Sequence, residues 1–186
     1  MSFSLANHFL IAMPGMHDPN FSRSVTLICE HNEQGALGFV INNPIDMTVG
    51  ELFTQQNIPF SPENKISQQP LYIGGPVESE RGFILHSPEN RWESTMKVAD
   101  NFGVTASRDI LEDSASGAGP KKALFILGYA GWGAGQLENE LSDNAWLTTP
   151  ADPEIVFDQP VEQRWRAAAG KIGIDLDLMN ANPGHA

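Results

Sequence analysis

Hydrophobic and polar positions change period several times along the 186 residues. Over residues 24–43, SVTLICEHNEQGALGFVINN, two β-rich runs flank the polar turn His31-Asn32-Glu33-Gln34-Gly35, which predicts a hairpin. Alternation in the first arm sets Val25, Leu27, Cys29 and His31 on one face and Thr26, Ile28 and Glu30 on the other. The second arm is apolar on both faces through Leu37, Phe39, Val40 and Ile41. Such a sheet must be covered on both sides.

Thr48-Val49-Gly50-Glu51 has the spacing of a capping box, and Val49, Leu52 and Phe53 follow at helical intervals, predicting a short helix over 49–56 that Pro59 and Pro62 end. A second β pair is expected from 71–74 and 82–86, joined by 75–81, with a further strand at 96–99. Ser107 is placed to cap a brief helix through Glu112, and 114–120 reads as a polar loop. The stretch 123–146, ALFILGYAGWGAGQLENELSDNAW, reads as strand, glycine loop and helix, the helix carrying Leu137, Leu141 and Ala145 on one face. After Pro160, a helix with the stripe Val161, Trp165, Ala168 and Ile172 is expected to dock on the core. One domain over 1–179 and a mobile tail over 180–186 complete the expected organisation.

Charge narrows the function classes. Eleven Lys and Arg against 23 Asp and Glu give −12, and the basic residues are scattered, a field that repels phosphate backbones, so no direct nucleic-acid binding is expected. A single cysteine, Cys29, excludes an internal disulfide and suits a reducing compartment. No Lys or Arg precedes Arg23, so the basic start of a secretory signal is missing. The uncharged run 123–136 is shorter than the roughly 20 apolar residues a spanning helix requires. These features predict a cytoplasmic chain without membrane contact.

The glycines Gly128, Gly131, Gly133 and Gly135 admit two readings. They let a ligand approach the backbone at a helix start, or they permit a tight strand-to-helix crossing with Tyr129 and Trp132 filling the core on either side. A Walker-type loop would add a lysine and a hydroxyl residue, and Glu138 and Glu140 would repel a phosphate. Cys29-Glu30-His31 suggests a nucleophile or a metal site, yet a cysteine sharing its face with Val25 and Leu27 usually behaves as a small apolar residue. Zinc needs three or four ligands, and His17, His86 and His185 serve only if the fold gathers them. His17-Asp18 can form an acid–base pair or a surface turn. Gly74-Gly75-Pro76 followed by Glu78, Glu80 and Arg81 presents carboxylates or a local ion pair. No nucleophile elbow, zinc helix or dinucleotide fingerprint is present, so neither cofactor nor metal is expected.

Three long strings, FLIAMPGMHDPNFSRSVTLICEHNEQGALGFVINNP, LYIGGPVESERGFILH and LFILGYAGWGAGQLENEL, together with the terminal GHA, resemble the AlgH/YqgE family of bacterial proteins in order and over most of the chain. The resemblance implies an α+β single domain with a strongly bent or bifurcated, mostly antiparallel sheet approaching a pseudo-barrel, flanked by short helices. The family's usual label is regulator of transcription. No basic recognition helix is present, so an effect on transcription would pass through another protein. The expected function is a binding or regulatory module that engages a protein partner at a groove of Met16, His17, Gly74, Gly75, Pro76, Arg81, Gly131, Trp132, Gly133 and Gly135. The alternatives are a small-ligand binder or enzyme using the same cleft, with His17, Glu30, His31 and His86 as titratable candidates, and a DNA-contacting regulator, which the charge disfavours.

Overall fold

A computed structural model describes residues 3–180. Its ten strands form one curled, mostly antiparallel sheet, a half-barrel flanked by short helices. The first half pairs β10 (Trp146–Pro150), β1 (His8–Ala12), β2 (Val25–Asn32) and β3 (Gly35–Val40) in that order. β3 pairs with the C-terminal end of β9 (Ala123–Gly133), whose N-terminal end continues the sheet to β6 (Val77–His86), β8 (Phe102–Thr105) and β7 (Thr95–Val98). β4 (Pro44–Thr48) pairs with β5 (Pro70–Ile73), which runs parallel to β9. The α+β class and the bent sheet are as the resemblance implies.

Strands on both sides of the central β9 bury one shared inner face, built from Phe9, Leu27, Phe39, Leu85, Phe102 and Ile126. Its lid is α4 (Pro153–Phe157), α5 (Arg164–Gly170) and α6 (Leu176–Asn180), through Val156, Trp165, Ala168 and Leu176. Each half also covers its outer face. α3 (Gln136–Ser142) packs Leu137 with Leu10, Ile28 and Trp132; α1 (Val49–Gln55) and α2 (Arg108–Ser116) pack Phe53 and Ile110 with Ile84 and Phe125. Covering both faces is what the two-sided apolar arm of the hairpin requires.

Local signals hold at α1 and at the hairpin, whereas Ser107 occupies the N-cap position of α2 without a side-chain cap bond, its Oγ donating instead to Asp109 Oδ1. Thr48 Oγ1 accepts from the Glu51 N–H at 3.2 Å and Glu51 Oε2 accepts from the Thr48 N–H at 2.8 Å, the reciprocal capping box that starts α1. β2 and β3 form the predicted hairpin, closed between Asn32 and Gly35.

Four further expectations change. The segments 71–74 and 82–86 do not pair with each other, because β9 lies between them, parallel to β5 and antiparallel to β6. The strand–loop–helix reading of 123–146 is corrected too, since β9 runs through Gly128, Gly131 and Gly133, and only Ala134 and Gly135 link it to α3. α2 extends to Ser116 and stops at Gly117 in the left-handed region (φ 93°), so the polar loop begins three residues later than expected. The C-terminal helix is split, and Ile172 of the predicted stripe lies beyond α5, 40% exposed. Asn180 closes α6; the rest of the expected tail, and His185, fall outside the described residues.

Two irregularities reset strand alternation. In β2 the register skips Cys29: Ile28 pairs with Gly38 and Glu30 with Leu37. Cys29 therefore stays in the inner core with Val25 and Leu27, while His31, opposite Ala36, turns to the outer face. In β9, Leu124 and Ile126 face inward, yet so does Tyr129, because Gly128 adopts φ +74° between them. Opposite Gly128, β6 inserts Glu78, Ser79, Glu80 and Arg81 between the pairs Val77–Tyr129 and Gly82–Leu127.

Candidate functional site

The β6 bulge and the glycines around it build the most distinctive surface. A Cβ on Gly128 would stand 2.6 Å from the Gly75 carbonyl oxygen and 3.1 Å from the Ser79 Cα, and one on Gly75 would run into the Tyr129 carbonyl. The Gly74–Gly75 turn thus lies directly on β9, fixed by the Gly74 N–H donating to the Leu127 carbonyl at 2.8 Å. That contact throws Glu78 and Arg81 over the inner face. Arg81 folds back across the Phe83 ring, 5.0 Å from its centroid, and pairs with Glu78 at 3.6 Å.

Beneath this pair lies a cleft of about 370 Å³ whose floor and walls include Leu37, Phe39, Phe83, Met96 and Tyr129. Burial, followed by the hydrogen bond and charge of Glu78, pushes the Tyr129 phenol above its ordinary range, so it stays protonated near neutrality. The far rim carries Glu93, whose N–H donates to Asp109 Oδ2 at 2.8 Å. Partial burial of Asp109 opposes ionisation, but its bonds from Ser107 and from the Glu93 and Ile110 N–H groups outweigh it and hold the carboxyl below its ordinary value. The rim loop is thereby clamped to the start of α2.

The ten expected groove residues do not form one surface. Arg81 lines the inner-face cleft, and a Cβ on Gly131 would sit 3.6 Å from the Tyr129 ring. Pro76 is exposed at the neighbouring turn, whereas Gly74 and Gly75 are buried beneath it. Met16 instead packs on the outer face against the cluster of Trp132 and Trp146, and His17 is exposed beyond it. Trp132, expected to be free for an interface, is only 6% exposed. Its indole N–H donates to Glu140 Oε1 at 3.0 Å, and the Trp146 indole donates to the same oxygen at 2.9 Å. Tyr129 and Trp132 do fill opposite sides of the sheet, as the architectural reading of the glycines holds. At the helix start, the Gly133 N–H that an anion would need donates to Gln136 Oε1 at 3.0 Å, and Gly135 caps α3 in the left-handed region (φ 75°).

The titratable candidates are dispersed. His86 is fully buried, its Nδ1 2.7 Å from the Ser87 carbonyl, its Nε2 2.8 Å from Thr105 Oγ1 and its ring edge-on to Trp92. Burial lowers its pKa, against smaller opposing effects of the Ser87 carbonyl and Glu89. His31 Nδ1 accepts from the Leu5 N–H at 2.9 Å, which leaves Nε2 as the protonated nitrogen, 3.3 Å from Glu138 Oε1. Glu30 is exposed on the opposite side of β2, and His17 belongs to the distant turn. None of the four hydrogen-bonds another among the described residues. Burial and the charge of Glu30 push the Cys29 thiol far above its ordinary value, which removes a thiolate nucleophile. Among the described residues no group of three or more His, Cys, Asp or Glu is placed to hold a metal.

A second pocket, of about 260 Å³, opens on the other face of β6 between α1 and α2, against Leu52, Gly82, Leu111 and Leu127. Sequence patterning does not show it, because it exists only through the docking of two helices distant in the chain. The one local sign is Gly82, which interrupts an otherwise bulky strand.

A family model described as AlgH-like, DUF179, matches residues 9–177. The chain belongs to the AlgH-like family. A UPF0301 protein of Thioalkalivibrio sulfidiphilus is 55% identical over 185 residues, covering 100% of this chain and 98% of that one. One of Vibrio parahaemolyticus is 50% identical over 186 residues, covering 98% and 100%. Among solved structures, the AlgH protein of Pseudomonas aeruginosa matches with TM-score 0.79 at 50% identity, covering 98% of this chain and 96% of that one. A Corynebacterium diphtheriae protein matches with TM-score 0.73 at 22% identity, over 95% and 91%, a likeness of fold alone. No helix among the described residues of this AlgH-like chain is long and apolar enough to cross a membrane.

Proposed function

We propose that this AlgH-like protein is a binding module that engages a partner protein through the inner-face cleft beneath Arg81. The observation that carries the reading is the Glu78–Arg81 pair, projected by the four-residue bulge opposite Gly128 over an apolar cleft. An apolar floor with a charged, partly desolvated rim is the anatomy of interface hot spots. The net charge of −12 supports a protein partner over a nucleic acid. Any regulatory role, including one on transcription, is then exerted through that partner.

A photoreactive residue in place of Glu93, introduced in the native host, would cross-link the occupant for identification, and the purified pair would be measured by calorimetry. Binding should fall at least about tenfold with Glu78→Lys and with Met96→Glu. Undiminished binding by both variants would refute the cleft. The cleft volume of about 370 Å³ also falls in the range of small-molecule sites, roughly 300–1,000 Å³. A metabolite that raises the melting temperature of wild type but not of Met96→Glu would favour that second reading.

A further inference from the structure

The two pockets are joined by an open strand edge. β8 pairs with β6 only at Ile84–Thr105, Leu85–Val104 and His86–Gly103. Beyond Thr105 the chain leaves β6: the Ala106 N–H donates to the Ser94 carbonyl at 3.2 Å, and Ser107 then starts α2. Among the described residues no strand pairs with β6 on this side beyond Ile84–Thr105, and Glu80, Arg81 and Gly82 are exposed. Side chains along this edge alternate between the pockets. Glu80 and Gly82 line the outer one, Arg81 and Phe83 the cleft, and Phe83 and Ala106 border both.

We infer that an extended segment of the partner adds as a strand to the outer edge of β6, its alternate side chains entering the two pockets. The inference rests on the cleft reading and specifies its occupant. Strand addition supplies main-chain hydrogen bonds for affinity, while pockets on either side of the new strand read alternate residues. Here both pockets are floored by apolar groups, Leu52, Leu111 and Leu127 on one side and Leu37, Met96 and Tyr129 on the other. Their rims carry Glu80 and Glu93, which make no ion pair among the described residues, while the two arginines present are already paired, Arg81 with Glu78 and Arg108 with Glu112. The occupant is therefore an extended peptide with apolar residues at alternate positions and Lys or Arg among them. Gly82 fits this role. A Cβ there meets nothing within 4 Å, so the strand presents bare backbone where an incoming chain must come close.

The test uses the full protein and a random dodecapeptide display library as the probe, followed by synthetic copies of the selected peptides. Selected sequences should alternate apolar residues with Lys or Arg. N-methylation of every second residue should weaken binding at least about tenfold in one register and little in the other, because only one set of N–H groups faces β6. Gly82→Leu, which fills the outer pocket, should weaken binding comparably, and Lys→Glu in the peptide should do so at low salt. If both N-methylated registers bind alike while Met96→Glu still abolishes binding, strand addition is overturned and the cleft stands. If neither Met96→Glu nor Gly82→Leu affects binding, both readings fall. Dimerisation of the free protein that Gly82→Leu abolishes would assign the edge to a second copy of this chain, against the inference.

Discussion

Arg164 Nη1 donates to the carbonyl of Ile41, 123 residues away in the chain, from a side chain that is almost fully buried. The same nitrogen reaches Tyr72 Oη at 3.2 Å, Nε donates to the Gln159 carbonyl at 3.1 Å, and the guanidinium lies 5.4 Å from the Tyr72 ring centroid. Arg164 makes no ion pair among the described residues. The charge is held by carbonyl dipoles and an aromatic face, and it ties α5 to the ends of β3 and β5.

Removing Arg164 should therefore act on stability. Arg164→Ala leaves the buried Ile41 carbonyl and the half-buried Gln159 carbonyl short of a donor and opens a cavity, an expected cost of about 3 kcal/mol. Arg164→Met keeps most of the volume and avoids burying a charge, so its cost should be smaller, about 1–2 kcal/mol. Urea unfolding followed by Trp fluorescence measures both. Equal losses in the two variants would mean that packing contributes nothing and the hydrogen bonds everything.

His86 predicts a pH dependence. Its imidazole is buried between Ser87, Thr105 and Trp92, and burial lowers its pKa below the ordinary 6.5. The unfolded chain then binds a proton that the folded chain refuses. Stability from this group is complete above about pH 6.5 and is lost as pH falls below it, towards the depressed folded-state pKa. The carboxylates held low in the fold, such as Asp109, titrate in a lower window. Urea midpoints measured between about pH 5 and 7 should fall on acidification in wild type and fall less in His86→Gln. Parallel curves would show that His86 does not carry the dependence.

Cys29 should be chemically silent in the native state. It is 6% exposed in the inner core, and its thiol titrates far above neutrality. A thiol reagent at pH 8 should react at a rate set by opening of the fold, accelerating with urea in step with the unfolded fraction. Cys29→Ser, which places a hydroxyl beside Val25 and Leu27, should cost about 1–2 kcal/mol, whereas Cys29→Ala should cost less. Rapid native labelling would place the thiol at the surface.

How far the chain could be read from its letters depends on the range of the signal. The Thr48–Glu51 capping box and the 24–43 hairpin depend on residues a few positions apart, and both form as their spacing predicts. The choice of partners among apolar strands is different in kind. Alternation does not distinguish β6 pairing with β5 from both pairing with β9, and the 11-residue β9 takes both. The two phase resets are unequal as well. Gly128 announces its own by being a glycine, whereas the skip at Cys29 has no local mark, so alternation sets His31 beside Cys29 while the fold places it across the sheet. The candidate site was legible only in part, since Arg81 and the glycines supply one wall while Leu37 and Met96 arrive from strands that no local pattern joins to it.

Gly128 and Gly82 provide the sharpest comparison within that site, because they flank one bulge and differ in what a methyl group would meet. At Gly128, φ +74° is unfavourable for any L side chain, and a Cβ would be 2.6 Å from the Gly75 carbonyl oxygen, a backbone atom that cannot swing away. Gly128→Ala should therefore cost about 2–4 kcal/mol, roughly 1 from the left-handed backbone and the remainder from displacing the Gly74–Gly75 turn. At Gly82 the backbone is extended and a Cβ meets nothing within 4 Å, so Gly82→Ala should lie within about 0.5 kcal/mol of wild type. Thermal unfolding of the two variants separates these outcomes by several degrees. Displacing the turn should also release Glu78 and Arg81 from the cleft mouth, visible as a shift of the Tyr129 ring resonances in Gly128→Ala and their preservation in Gly82→Ala. Equal stability of the two variants would mean that the Gly75–Gly128 contact does not set the bulge.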